Sequence, residues 1–176
     1  MKRIILFIPL LIFVAIGGLF YGSLGKNPEE MPSALIGKPL PEFALTELES
    51  NTPITNKDLV GEAFLLNVWA TWCKTCLYEH PHLLKLAKSQ QIKIVGVNYK
   101  DESDKAKAWL KKLQNPYSVT IVDQKGSLGL DLGVYGAPET YLVDKNGIVR
   151  YRFAGEFNEQ VWVDKFLPLI QELNAG

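Results

Sequence analysis

A short apolar run, Phe64 to Trp69, leads straight into Trp72-Cys73-Lys74-Thr75-Cys76, which holds the only two cysteines of the chain. The run reads as a buried strand, and the residues from Cys73 onward read as a helix, so the pair is expected at a strand-to-helix junction. At the start of a helix both sulfurs lie on one face, and the unpaired N–H groups and positive dipole end favour a thiolate on the first cysteine. A pair with this spacing can cycle between dithiol and disulfide. Cys73 is therefore the expected nucleophile and Cys76 its resolving partner. Two other readings are weaker. A passive bridge over two intervening residues removes little chain entropy, and a zinc site wants four ligands where the chain offers two Cys and two His.

With 176 residues, 47% of them hydrophobic and 11% aromatic, the chain can bury one good core. Lys2 and Arg3 precede about twenty-two uncharged residues, Ile4 to Gly25, a length that can cross a bilayer as a helix. The basic pair before it and Glu29 and Glu30 after it place the N-terminus in the cytoplasm and the domain outside, facing the periplasm. A cleaved signal peptide would have a shorter apolar stretch ending in small residues. Here the run continues through Gly-Gly-Leu-Phe-Tyr-Gly-Ser-Leu, which favours an uncleaved signal anchor in the inner membrane. Residues 1–25 are thus expected to form the N-terminus and transmembrane anchor, and 41–176 the folded domain. Residues 26–40, with Pro28, Pro32, Pro39 and Gly37, read as an extended tether. Removing Lys2 and Arg3 from nineteen basic residues leaves seventeen against nineteen acids, so the exported part has no basic footprint for nucleic acid.

Along the domain, Phe43 to Leu48 is a candidate early strand and Thr55 to Leu59 a short capped helical turn. Cys73 to Gln90 reads as a helix with Pro81 inside it, which should kink it. Ile92 to Tyr99 follows as a largely apolar strand, then Ser103 to Leu113 as a helix capped by Ser103. Val119 to Val122 reads as a strand and Ser127 to Leu132 as a brief helix. Thr140 to Val143 and Ile148 to Phe153 flank Asn146-Gly147, a strong hairpin signal. Asn158 to Leu173 closes the chain as a helix capped by Asn158. Strands that alternate with helices and end in a hairpin plus helix imply an α/β fold, a mixed sheet covered on both faces.

This order, with Asn67-Val-Trp-Ala-Thr-Trp-Cys-Lys-Thr-Cys and Gly133-Val-Tyr-Gly-Ala-Pro-Glu-Thr, resembles the thioredoxin superfamily. Adding Asn98-Tyr-Lys-Asp, Asn115-Pro-Tyr and the long match from Leu128 to Thr140, the chain resembles the CcmG/DsbE family of membrane-tethered cytochrome c maturation thioredoxins. The resemblance covers roughly Leu35 to the C-terminal helix. It implies a thioredoxin-like three-layer fold and a thiol:disulfide oxidoreductase needing no cofactor or metal beyond Cys73 and Cys76. It implies a cis peptide before Pro138 and assigns Ala137 and Pro138 to a groove that pairs with an extended substrate. It also assigns Glu79 and Glu139 to an acidic active-site surface, Glu139 beside the substrate. Asn67 stands where ordinary thioredoxins carry a buried aspartate that assists proton transfer to the second cysteine. An amide cannot take that proton, so Glu79 is the expected substitute, acting through water. Trp69 is expected to fill space around the disulfide, and Trp72 to do so or to touch substrate. The implied partners are apocytochrome c, through its haem-attachment cysteines, or a maturation protein carrying them. A DsbD-type membrane electron donor is implied as the source of reducing equivalents.

His80 and His82, two apart on the helix, face different ways and are expected to be structural or solvated. Tyr141, Trp109 and Trp162 read as core. Three rival functions remain: a less selective periplasmic thioredoxin-like reductase, a peroxidase, and a non-catalytic apocytochrome-binding module. A peroxidase would need a Pro-x-x-x-Thr/Ser-x-x-Cys setting that the residues before Cys73 do not give. Lys74 departs from the family pattern, where proline usually follows the first cysteine. Its ammonium favours the neighbouring thiolate by up to roughly 1 kcal/mol, as surface charge pairs do. Lys74→Pro is therefore expected to lower the reduction potential by on the order of 10–20 mV, since about 30 mV corresponds to 1.4 kcal/mol. A glutathione equilibrium of both forms measures this, and a less reducing proline variant would reverse the argument.

Overall fold

In the computed structural model, which describes residues 8–23 and 34–175, the first of two units holds helix α1 (Ile8–Ser23), apolar on every side. No helix among the described residues is long and apolar enough to cross a membrane. The expected span Ile4 to Gly25 runs past α1 at both ends. Lys2, Arg3, Glu29 and Glu30 lie outside the described residues.

The second unit is built on strand β3 (Phe64–Trp69), all six of whose residues are buried. A strand covered on both faces reads as a continuous apolar run, and this one does, except at Asn67. Among the described residues seven strands form one sheet in the order β2-β1-β5-β4-β3-β6-β7. They are β1 (Ala44–Glu47), β2 (Pro53–Thr55), β3, β4 (Lys93–Tyr99), β5 (Val119–Asp123), β6 (Glu139–Val143) and β7 (Val149–Ala154). Strands β3, β4 and β5 run parallel, whereas β6 lies antiparallel to β3, β7 to β6, and β1 to both β5 and β2. The expected mixed sheet is present.

Alternation along β3 separates two apolar layers. Leu65 and Trp69 face helices α2 (Lys74–Ser89) and α3 (Ser103–Leu113) and the C-terminal helix, through Leu83, Leu110 and Phe166. Phe64, Leu66 and Val68 face the other way, toward Leu128 and Leu132 of α4 (Ser127–Leu132) and Leu59 of the helical turn Asn56–Leu59. Each such buried side chain contributes roughly 1.5–3 kcal/mol relative to exposure. Helix α2 continues through Pro81 as one element.

Three local expectations change. The tether does not reach Leu40. The Gly37 N–H bonds the Val149 carbonyl and the Leu40 N–H that of Gly147, both at 2.8 Å, and Leu40 is buried. Prolines in an edge segment mimic a linker in sequence, yet here Pro39 bridges Ile148. The N-cap of α3 is Glu102, not Ser103, and the Glu102 N–H is taken by Asp101 Oδ1 at 2.9 Å. The closing helix comes in three parts, α5 (Glu159–Val161), a π-helical segment Trp162–Phe166, and α6 (Leu167–Ala175). Pro168 lacks the N–H that would continue the α-helical ladder, and the Leu167 N–H reaches back to the Trp162 carbonyl.

Packing over β4 depends on one missing side chain. The Trp69 ring stacks on Tyr117 at 5.5 Å and on Trp109 at 4.9 Å. A Cβ on Gly96 would meet Trp69 Nε1 and Tyr117 Cγ, each at 2.9 Å. Gly96→Ala is expected to destabilise the domain by about 1–3 kcal/mol, the usual cost of overpacking a core. An unchanged urea midpoint would show that the two rings can part.

Candidate active site

The β3–α2 junction carries the cysteines. Cys73 is the N-cap of α2, with extended backbone (φ −85°, ψ 107°), and its sulfur accepts the Cys76 N–H at 3.1 Å. Cys73 and Cys76 form a disulfide, and Cys76, at 2% exposure against 7%, is the more sheltered. The sulfur of Cys73 thus sits where a capping oxygen normally takes the orphan amides of a first turn. A thiolate formed there would inherit that hydrogen bond. Trp72 is exposed and its Nε1 donates to the Lys100 carbonyl at 3.0 Å. Lys74 is exposed.

Asp101 braces this turn. Its carboxylate accepts the Thr71 N–H at 2.6 Å, the Thr71 hydroxyl at 2.8 Å and the Asn98 amide at 3.0 Å. The bonds tie the end of β4 to the residues just before the cysteines. In the sequence Asn98-Tyr-Lys-Asp reads only as a family signature, with no task for Asp101. A carboxylate closing a motif next to a strand end was the available signal.

Beneath the cysteines, Asn67 and Glu79 meet. Asn67 Nδ2 donates to Glu79 Oε1 at 3.0 Å and to Thr140 Oγ1 at 3.1 Å, and Asn67 Oδ1 accepts the Tyr117 hydroxyl at 2.8 Å. Glu79 Oε2 accepts the Phe157 N–H at 2.9 Å. Glu79 is 1% exposed, so it belongs to the interior and not to an acidic surface. Burial pushes its carboxyl up to about 8 against the pull of the Phe157 and Asn67 hydrogen bonds, and the Glu156 charge pushes the same way. One turn beyond Cys76 on α2, Glu79 can therefore exchange a proton near neutral pH. Burial also lifts the Tyr117 hydroxyl well above the usual phenol range, so it stays a donor.

The Ala137–Pro138 peptide is cis, and Ala137 packs against the apolar cluster that contains Cys73 and Cys76. The Pro138 carbonyl accepts the Gly155 N–H at 3.1 Å. Glu139 is not part of an exposed acidic rim. It is 1% exposed and paired with Arg152, whose Nε and Nη2 each donate to it at 2.9 Å. The Tyr135 N–H and the Tyr141 hydroxyl complete its shell. Alternation along β6 turns Thr140 toward Asn67 and α2 and turns Glu139 and Tyr141 to the opposite face. With its charge balanced and the sheet intervening, Glu139 is braced inside the fold beside Pro138 and does not line a substrate surface. Arg152, unremarked in sequence, also donates to the Gly133 carbonyl at 3.1 Å and lies 4.8 Å from the exposed Tyr135 ring.

His80 is buried against Trp109, with Nε2 2.9 Å from the Gln114 carbonyl, while His82 is partly exposed. His80 takes a structural place, its ring held by the Leu113 and Gln114 carbonyls and by Trp109. Among the described residues no group of three or more His, Cys, Asp or Glu is placed to hold a metal ion.

Comparison with known proteins agrees with this geometry. The Redoxin family model matches residues 35–166. The thiol:disulfide interchange protein DsbE of Escherichia coli strain K12 is 51% identical, over 96% of this chain and 95% of its own length. The protein of the same name from Pseudomonas aeruginosa is 49% identical, over 98% and 96%. Among solved structures, a secreted thiol-disulfide isomerase from Corynebacterium glutamicum matches with a TM-score of 0.67 at 23% identity, covering 83% of this chain and 96% of that one. A thio-disulfide isomerase from Thermus thermophilus gives 0.63 at 24%, covering 76% and 95%. These two likenesses concern the fold, which is thioredoxin-like.

The raised Glu79 carboxyl predicts a pH dependence of stability. Between the ordinary carboxyl value of 4.5 and about 8 the folded protein holds a proton that the unfolded chain has released. Stability should thus be greatest below that window and fall as pH rises through it, by on the order of 5 kcal/mol. In Glu79→Gln the decline should largely vanish. Urea unfolding from pH 5 to 9 checks this, and an equally steep decline in the variant would point to another group.

Proposed function

The chain belongs to the Redoxin family and, within it, to the DsbE type of thiol:disulfide interchange protein, and on that premise we propose that it is a reductant serving cytochrome c maturation. Its enzymatic chemistry is thiol:disulfide exchange at Cys73 and Cys76. In the direction proposed, the Cys73 thiolate attacks one sulfur of a target disulfide, forming a mixed disulfide and releasing the other target sulfur as a thiolate that takes up a proton. Cys76, giving its proton to Glu79, then attacks the Cys73 sulfur. The mixed bond breaks, the second target thiol departs, and the target has gained two electrons while this protein is left as the Cys73–Cys76 disulfide. Recharging runs the same steps backward, with Glu79 protonating Cys76 as it leaves. The place of Glu79 one turn beyond Cys76 on α2, held by Asn67 and the Phe157 N–H, supports its assignment, and a carboxyl pushed up by burial to about 8 suits both directions.

The target class follows from the family resemblance: the haem-attachment cysteines of apocytochrome c, or a maturation protein carrying them, with a DsbD-type membrane carrier as donor. Ala137 and Pro138 offer the docking edge and exposed Trp72 a contact beside the nucleophile. The apolar run Ile4 to Gly25, with Lys2 and Arg3 before it, supports a single-pass inner-membrane anchor with residues 1–25 as signal anchor and the domain facing the periplasm.

Two measurements test this reading. With Cys76→Ala in cells, mixed disulfides should accumulate on Cys73 and contain apocytochrome c or a maturation protein. Capture spread evenly over unrelated periplasmic proteins would instead indicate a general reductase. The full-length chain should remain with the membrane fraction through high-salt washing, and a dominant soluble form starting near Lys26 would remove the anchor.

A further inference from the structure

The Asn67 side chain has a choice that its neighbours settle. An amide presents a donor end and an acceptor end of nearly the same shape. Asn67 meets Glu79 and Thr140 at one end and Tyr117 at the other. The Thr140 and Tyr117 hydroxyls can each donate or accept, so they permit either orientation. Glu79 does not. An ionised carboxylate only accepts, and it requires Nδ2 on its side, whereas a protonated carboxyl can donate to Oδ1. A neutral carboxyl also keeps an accepting oxygen and tolerates either end of the amide, so two limiting arrangements stand out. In one, Tyr117 donates to Oδ1 and Nδ2 solvates a carboxylate. In the other the amide is turned over, Tyr117 accepts from Nδ2, and Glu79 is neutral.

We propose that Tyr117 is a positioning residue for Glu79: by donating to Asn67 Oδ1 it holds Nδ2 against the carboxyl and so favours the form that has given up its proton. The inference extends the reading of Glu79 as the proton carrier for Cys76, but the positioning itself does not depend on it. Three features of the site make Tyr117 effective. Its ring is fixed by stacking on Trp69, and its own N–H is turned in by Asn115 Oδ1 at 2.9 Å, so the hydroxyl cannot wander. The hydroxyl is buried, with no tendency to ionise, and remains a donor throughout the working range. Finally, among the described residues no cation figures in what shifts the Glu79 carboxyl. Phe157 supplies an N–H from the segment after β7, Glu156 on that segment adds a negative charge, Thr140 of β6 is neutral, and Cys76 lies on the same helix. His80, next to Glu79 in sequence, aims its ring at the Leu113 and Gln114 carbonyls. Among the described residues the Asn67 amide and the Phe157 N–H are the donors to the carboxylate, so the orientation of the amide matters.

The expected effect has a definite sign. Removing the Tyr117 hydroxyl removes the bias on the amide, and the turned-over arrangement, which suits only a protonated Glu79, gains weight. In oxidised Tyr117→Phe, the Glu79 midpoint read from its carboxyl carbon-13 resonance should move up by about half a pH unit or more, roughly a threefold gain in proton affinity. Phenylalanine keeps the ring that stacks on Trp69. Should that variant fail to fold, 3-fluorotyrosine placed at position 117 alone, a stronger donor of nearly the same size, should move the midpoint down. A midpoint that stays put on either replacement, or moves the opposite way, overturns the proposal. The pH profile of disulfide reduction, measured on the same samples, separates the two readings. If it follows the resonance, Tyr117 positions a carboxyl that carries the redox proton. If the resonance moves and the rate profile does not, the positioning stands and the proton carrier for Cys76 is some other group.

Discussion

A strand buried on both faces must find internal partners for any polar side chain it carries, and the organisation of this site follows from how β3 meets that demand at Asn67. Buried polar groups left unpaired cost about 1–3 kcal/mol each. Asn67 draws Glu79 from α2, Thr140 from β6 and Tyr117 from the connection before β5 into one cluster. The same demand that stabilises the layer thereby places a carboxyl one helical turn behind Cys76. An amide at this position cannot take up a proton, and its Nδ2 instead donates to the Glu79 carboxyl.

The two buried glutamates show how environment divides chemically identical groups. Glu139 meets a bidentate guanidinium and two further donors, and acts as a strut between β6, β7 and the loop at Gly133. Glu79 meets neutral donors and the nearby Glu156, so its charge is expensive and its proton mobile. Removing the partner of a buried ion pair is strongly destabilising, by roughly 3–5 kcal/mol, which ties Glu139 to the fold. Glu79 has no such tie. Among the described residues its partners are the neutral Asn67 amide and Phe157 N–H, so taking up a proton leaves no buried cation unpaired.

Much of this was readable from residues alone. Phe64 to Trp69 followed by Cys-Lys-Thr-Cys placed β3, the start of α2 and the disulfide, because burial on both faces and helix-terminal chemistry leave plain local marks. Asn146-Gly147 marked the β6–β7 turn, where Gly147 has φ 80°. What stayed hidden depends on contacts remote in sequence. Tyr117 reaches Asn67 across fifty positions and Arg152 reaches Glu139 across thirteen. The inward direction of both glutamates could not be told from a residue type that is usually solvated. Strand β2, three residues beginning with Pro53, is too short to show a period. Leu35 to Leu40 resembles a linker by composition and is bound by backbone groups that composition does not report.

The loop beside the cysteines also limits what it can recognise. Pro138 has no N–H, and its carbonyl is already committed to Gly155. On the docking proposed above, an extended polypeptide would gain no N–H donor from Pro138 and would anchor chiefly on the residues before it. So brief a backbone ladder imposes almost no reading frame on the visitor. On that docking, discrimination between one cysteine-bearing segment and another would fall to side chains, the exposed Trp72 beside the nucleophile among them, and to how soon the segment lets go once its sulfur is released.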